Sequence, residues 1–143
     1  MKLSKIILEG PLQYDPDFNR EIDKIQDQGG KYLGSGDYGS VYLLNGRAVK
    51  VTTDEIELDH AEILKGKKTN NFVYIYDVKV LEPKLGIIEM EVLGKFKGDI
   101  PEEFVDATKA EAQRFGIDPD ELDFVGDNIM VHPKSGNLKM IDV

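Results

Sequence analysis

The stretch GSGDYGS, residues 34–40, sets glycines at positions 34, 36 and 39, and one short hairpin later the chain reads Arg-Ala-Val-Lys, ending at Lys50. Glycines so spaced either cradle a phosphate with backbone N–H groups or merely make a tight turn, and a lone G-x-G-x-x-G occurs in many loops. Further on, Asp123 and Asn128 stand five positions apart in LDFVGDNIMV, and Asp142 comes later in MIDV. Taken singly, each has a plain explanation. A strand lysine is usually a solvated edge residue, Asp127-Asn128 is a turn pair, and a strand-ending aspartate caps the next turn.

The elements between these residues decide how they are read. Residues 15–28 have Phe18, Ile22 and Ile25 on one helical face, Pro16 near the start and Gly29-Gly30 as a stop, which predicts a helix packed outside the first sheet. KYLGS and VYLLN are β-rich, and Asn45-Gly46 before RAVKV is a two-residue hairpin signal. The glycine loop therefore joins two strands. A dinucleotide fingerprint requires strand, glycine turn, then helix, so that reading is excluded.

Residues 54–65 predict a helix capped by Thr53 or Asp54, with Ile56, His60, Ile63 and Leu64 along one face. FVYIYDVKV and GIIEMEV supply two more strands, separated by LEPKLG. GKFKGD reads as a charged connector. After it, Pro101 opens a helix that runs to about Phe115, and IMV and LKMI form two short strands around Ser135-Gly136-Asn137.

Composition narrows the function classes. A net charge of −9, from 27 acidic and 18 basic residues, disfavours nucleic acid as a partner. The absence of cysteine removes disulfides, thiolate metal sites and cysteine nucleophiles. The apolar run in MKLSKIILEGPL is broken by Glu9, Gly10 and Pro11 before it reaches signal or membrane-span length, so the expectation is a cytoplasmic protein with no membrane partner. His60 and His132 lack supporting ligands for a metal site, and Tyr74 and Tyr76 read as strand packing.

In this order the pieces resemble the protein-kinase fold over roughly residues 31–143. The resemblance implies an α+β, protein kinase-like architecture: a five-stranded antiparallel N-lobe sheet with one inserted helix, and a much reduced C-lobe. The expected divisions are a helical N-terminal extension over 1–30, an N-lobe over 31–93 and a truncated C-lobe over 94–143. It further implies ATP and Mg²⁺ as cofactors. Gly34, Ser35, Gly36, Asp37, Tyr38 and Gly39 would cover the phosphates, and Lys50 would hold them. Val41, Ala48, Met90, Glu91 and Leu93 would contact adenine, the last three resembling the hinge. Asp123 takes the place of the base that orients the incoming hydroxyl, and Asn128 and Asp142 those of the metal ligands.

The sequence departs from the family pattern at several points. Counting back from Ile63-Leu64 puts His60 where the family has a glutamate that pairs with the lysine; Glu57 lies one turn earlier on that face and is the expected partner, with Glu62 as the alternative. Glu121-Leu122 precede Asp123 where the family has His-Arg, and Val125 replaces a lysine usual in serine/threonine kinases. The resemblance ends at Asp142, with no activation segment and no Ala-Pro-Glu. In this the chain resembles small kinase-like proteins of bacteriophages and bacterial effector systems, which would place it in a host cytoplasm.

The resemblance implies three functions. The first is a minimal kinase passing the γ-phosphoryl of Mg-ATP to a protein hydroxyl, serine or threonine. The second is a weak or inactive module that binds and modulates a partner protein, with a homodimer through the reduced C-lobe as one form. The third is transfer of AMP with the nucleotide reversed. For the first, Lys50→Met is expected to abolish product while the fold survives.

Overall fold

The structure, a computed structural model, describes residues 15–141. The apolar run near the N-terminus and the metal-ligand candidate Asp142 lie outside the described residues. Helix α1 spans Pro16–Asp27. The Asp15 carboxylate caps it, accepting from the N–H groups of Asp17 at 3.0 Å and Phe18 at 3.1 Å. Its apolar face, Phe18, Ile22 and Ile25, is buried as the sequence predicts, against Tyr42, Val49, Val51 and Leu85.

Those four partners belong to an antiparallel sheet of β1 (Lys31–Ser35), β2 (Gly39–Leu44), β3 (Arg47–Thr52), β4 (Ile75–Glu82) and β5 (Leu85–Met90), in the order β1-β2-β3-β5-β4. The predicted hairpin is present, with both turn residues at positive φ, Asn45 at 52° and Gly46 at 77°. That geometry matches the right-handed twist of the strands it joins. Because side chains alternate along β3, Val49 and Val51 face α1 while Ala48 and Lys50 face the opposite side.

The opposite face holds helix α2, Glu55–Leu64, capped by Asp54, whose side chain accepts from Ile56 N–H at 3.0 Å and Glu57 N–H at 3.3 Å. Leu58, Ala61 and Leu64 form its buried stripe. Leu58 packs so closely on β5 that a Cβ at Gly86 would sit 2.4 Å from its Cδ2. Ile56, expected on the inward face, is instead 49% exposed. It sits two positions before Leu58, about 200° round the helix, so burying one exposes the other.

The remainder builds on the same core. Helix α3 spans Glu102–Arg114, and β6 (Gly94–Lys95), β7 (Ile129–Val131) and β8 (Leu138–Met140) form a second sheet in that order. The expected connector GKFKGD thus begins as a strand, because Gly94 pairs with Val131 and Lys95 with Met130. Residues 72 and 73, expected to open β4, lie beside the second sheet instead, together with Asn71. Met140 N–H donates to Asn71 O at 2.8 Å and Val73 N–H to Met140 O at 2.9 Å. The buried Glu111 carboxylate of α3 fixes that crossing by accepting from Asn70 N–H at 2.9 Å and Asn71 N–H at 2.8 Å. One apolar cluster runs through both sheets, from Ile75, Ile88 and Met90 to Ile129 and Met140. Among the described residues, no helix is long and apolar enough to cross a membrane.

Candidate functional site

Register puts the candidate residues of the first sheet side by side. Val41 pairs with Lys50 and Lys50 with Ile88, while Ala48 pairs with Met90. All lie on the face covered by α2. Lys50 Nζ donates to Glu57 Oε2 at 2.6 Å, with side chains 14% and 2% exposed. Glu62, the alternative partner, is exposed. A charge-assisted bond this short fixes the end of a long flexible side chain, and α2 supplies the carboxylate from a rigid backbone.

Beside this pair lies the glycine loop. Its turn closes through Gly36 N–H to Gly39 O at 2.9 Å, and its tip is tied down where Tyr38 O accepts from Thr53 N–H at 2.8 Å. Ser35 and Ser40 exchange a hydroxyl bond at 2.8 Å across the base. The Gly36 amide is therefore engaged, whereas no partner within the described residues is found for the amides of Asp37 and Tyr38. Ser35, Asp37 and Tyr38 are exposed, Tyr38 at 58%.

The three glycines differ in their surroundings. Nothing lies within 4 Å of a Cβ built on Gly34 or Gly36, but one on Gly39 would stand 2.6 Å from Val51 O and 3.0 Å from Lys50 Cε. Gly39 thus lets β2 seat against β3 beside the lysine stem. Gly39→Ala is expected to cost about 1–3 kcal/mol in urea unfolding through overpacking. Gly34→Ala, by the same measurement, should be near neutral.

Of the candidates in the second half of the chain, Asp123 is exposed and comes directly after the buried Leu122. Asn128, 8% exposed, donates through Nδ2 to Asp123 O at 2.9 Å. That bond closes the loop and uses one of the two Nδ2 N–H donors, and Oδ1 is the acceptor atom of the amide. The Asn128 carbonyl accepts from Ile141 N–H at 2.9 Å, which holds the residue before Asp142 to this loop. Among the described residues, no group of three His, Cys, Asp or Glu side chains is placed to hold a metal ion by itself. Asn128 Oδ1 is a hard oxygen of the kind Mg²⁺ accepts, and such a site needs phosphate and water oxygens to complete it.

Met90 and Glu91 stand at the end of β5, and Leu93 packs on the core. The Glu91 side chain turns back, accepting from Tyr74 N–H at 2.6 Å, while its own N–H donates to Tyr74 O at 3.0 Å and the Val92 side chain is exposed. His132, which belongs to none of the motifs, is 3.7 Å from Glu91 Oε1 through Nε2, and its Nδ1 accepts from Ser135 N–H at 3.2 Å. His60 is buried and reaches Glu121, with Nε2 3.1 Å from Oε1. Neither contact has a spacing signal, since 61 residues separate His60 from Glu121. An open depression of about 530 Å³ at the tip of the glycine loop is lined by Asp37, Tyr38, Thr53 and Ile56 together with Asp15, Asp54, Glu55 and Lys84. Its carboxylates would repel a polyphosphate.

No protein-family model matches the sequence, and no curated protein is similar to it in sequence. Solved structures are similar in fold. The crystal structure of the Mycobacterium tuberculosis PknI kinase domain superposes with a TM-score of 0.53 at 16% identity, covering 78% of this chain and 57% of that domain. A cysteine-to-alanine variant of the same domain gives 0.53 at 17% identity over 78% and 56% of the two chains. This chain thus spans little more than half of the kinase domains it matches, and within that span its fold is protein kinase-like.

Proposed function

We propose that the protein is an ATP-dependent kinase that passes the γ-phosphoryl of Mg-ATP to a protein hydroxyl. The observation that carries this reading is the buried Lys50–Glu57 pair, at 2.6 Å, set beside a glycine loop that joins β1 to β2. A lysine held in place by a glutamate presents its N–H donors in a fixed direction, which suits phosphate oxygens. Val41, half-buried on the same sheet face as the buried Ala48 and Met90, offers the apolar contact that adenine would use. The amides of Asp37 and Tyr38 add neutral donors at the loop tip.

Asn128 and Asp142 are the residues that would hold Mg²⁺, which when bound offsets the charge of the phosphates. Asn128 also fixes the backbone of Asp123 through its Nδ2. The Asp123 carboxylate accepts the proton of the attacking hydroxyl and orients that oxygen towards the phosphoryl group. Both residues belong to one loop, so their separation is set by local hydrogen bonds and not by a hinge.

The second reading, a binding module without chemistry, would need an apolar docking face. Beyond Leu93, however, Val125 is the one large hydrophobic side chain among the described residues that is exposed. That is a small apolar area for a docking face. Calorimetric titration of the native chain with ATP, with and without Mg²⁺, tests the first reading. Metal-dependent binding is expected, and label from γ-phosphate, not α-phosphate, should reach protein. No binding in either condition would remove the kinase reading and leave the binding module; α-label on protein would replace it with AMP transfer.

A further inference from the structure

His60 is one of the two histidines of the chain and is 4% exposed. It lies on α2 one turn after Glu57, and these are the polar or charged residues that the helix buries. Its Nε2 faces Glu121 Oε1 at 3.1 Å, so Nε2 carries the proton and donates to the carboxylate. Its Nδ1 has no partner among the described residues. Glu121 ends a short 3-10 turn, Pro119–Glu121, and stands two positions before Asp123. The helix therefore carries two polar contacts to separate parts of the molecule: Glu57 to the sheet at Lys50, and His60 to the loop that holds Asp123 and Asn128.

A buried imidazole is an unusual way to fill a helix–core contact. A leucine would fill similar space without leaving Nδ1 unsatisfied, which costs free energy in an apolar setting. What a leucine cannot do is hold Glu121. Since α2 is a rigid rod fixed to β5 at Leu58 and Gly86, any displacement of the loop relative to the sheet must stretch the His60–Glu121 bond or drag the helix.

We propose that His60 is a positioning residue, whose bond to Glu121 sets the Asp123–Asn128 loop relative to the Lys50–Glu57 pair. The proposal rests on the reading that these two pairs are halves of one site, and it adds a residue to that site from outside the motifs that define it. His60 touches no reacting atom and acts through Glu121.

Backbone amide hydrogen exchange tests it without requiring activity. Three amides report on the loop: Leu122 N–H donates to Pro119 O at 3.2 Å, Val125 N–H to Asp123 O at 3.0 Å and Asn128 N–H to Val125 O at 3.0 Å. In His60→Leu these should exchange about tenfold faster, the equivalent of one charge-assisted bond lost, while Val49 and Val51 in the sheet stay within about twofold. His60→Gln, which keeps an amide donor near the position of Nε2, should restore protection. Glu121→Leu, at a site 40% exposed on its side chain and outside the core, should give the same acceleration, and the double variant no more than either alone.

A simple core role predicts the opposite pattern: His60→Leu protects the loop as well as the native chain does, and His60→Gln brings no recovery. Either result overturns the proposal, as does an acceleration in Glu121→Leu that adds to that of His60→Leu. If His60→Leu does not fold, Glu121→Leu alone decides. Titration with Mg-ATP is run on the same samples. Failure of the native chain to bind would remove the phosphotransfer reading, while the exchange rates would still decide whether His60 fixes the loop. With binding present, His60→Leu should lower turnover about tenfold, with Mg-ATP affinity falling less than it does in Asn128→Ala, which loses the ligand itself.

Discussion

Lys50→Met is expected to weaken Mg-ATP binding by at least about a hundredfold, or about 2.7 kcal/mol, in calorimetric titration. The loss comes from removing a charged donor whose direction Glu57 already fixes, so little ordering cost offsets its contacts with phosphate oxygens. The same substitution should also lower stability. Glu57 is 1% exposed, and taking the ammonium away from a carboxylate that water barely reaches costs about 3 kcal/mol. Sequence alone suggests Lys50→Met as a variant that spares the fold; the burial of Glu57 adds a cost in stability to that expectation.

A second variant separates the two effects. Lys50→Met/Glu57→Leu replaces the whole buried pair by apolar side chains of similar length, a change that is often neutral or stabilising. It should recover most of the lost melting temperature and none of the nucleotide affinity. If affinity returns with stability, the lysine serves the fold alone and phosphate is held elsewhere. Glu57→Gln gives an intermediate case, since the amide oxygen still accepts from Lys50 Nζ but the charge is gone.

Much of this geometry is legible in the chain because local rules dictate it. Asn45-Gly46 specifies its own turn, Asp54 its own cap, and the spacing of Phe18, Ile22 and Ile25 a single buried face. Helical periodicity selects Glu57 once Lys50 is placed on the strand before. The features that escape such reading are set by contacts distant in sequence. Gly94-Lys95 carries no alternation, and becomes a strand because β7 pairs with it. Ile56 looks inward-facing by type, yet the phase of α2 is fixed by Leu58 meeting Gly86. His60 and Glu121 have no mutual spacing to read, and the clamp of Glu111 on the Asn70 and Asn71 amides spans the same kind of gap. In each case a short-range propensity is overridden by a partner that only the folded chain brings near.

Asp123→Asn is expected to lower turnover by about 10²–10⁴ and to leave both stability and Mg-ATP affinity nearly unchanged. The reasoning rests on which atoms of Asp123 the fold uses. Asn128 Nδ2 binds the backbone carbonyl of Asp123, not its carboxylate, and the side chain is exposed, so an isosteric amide leaves the loop as it was. An amide accepts no proton at neutral pH, and the hydroxyl it faces is less well oriented. Asn128→Ala should behave differently: it removes the bond that closes the loop along with a ligand oxygen, so stability falls by about 1 kcal/mol and affinity for Mg-ATP falls with it. Contrasting the two variants in one assay distinguishes a proton acceptor from a structural loop. If Asp123→Asn retains full turnover, the carboxylate has no part in the chemistry, and Asp127, exposed beside Asn128, becomes the next carboxylate to replace.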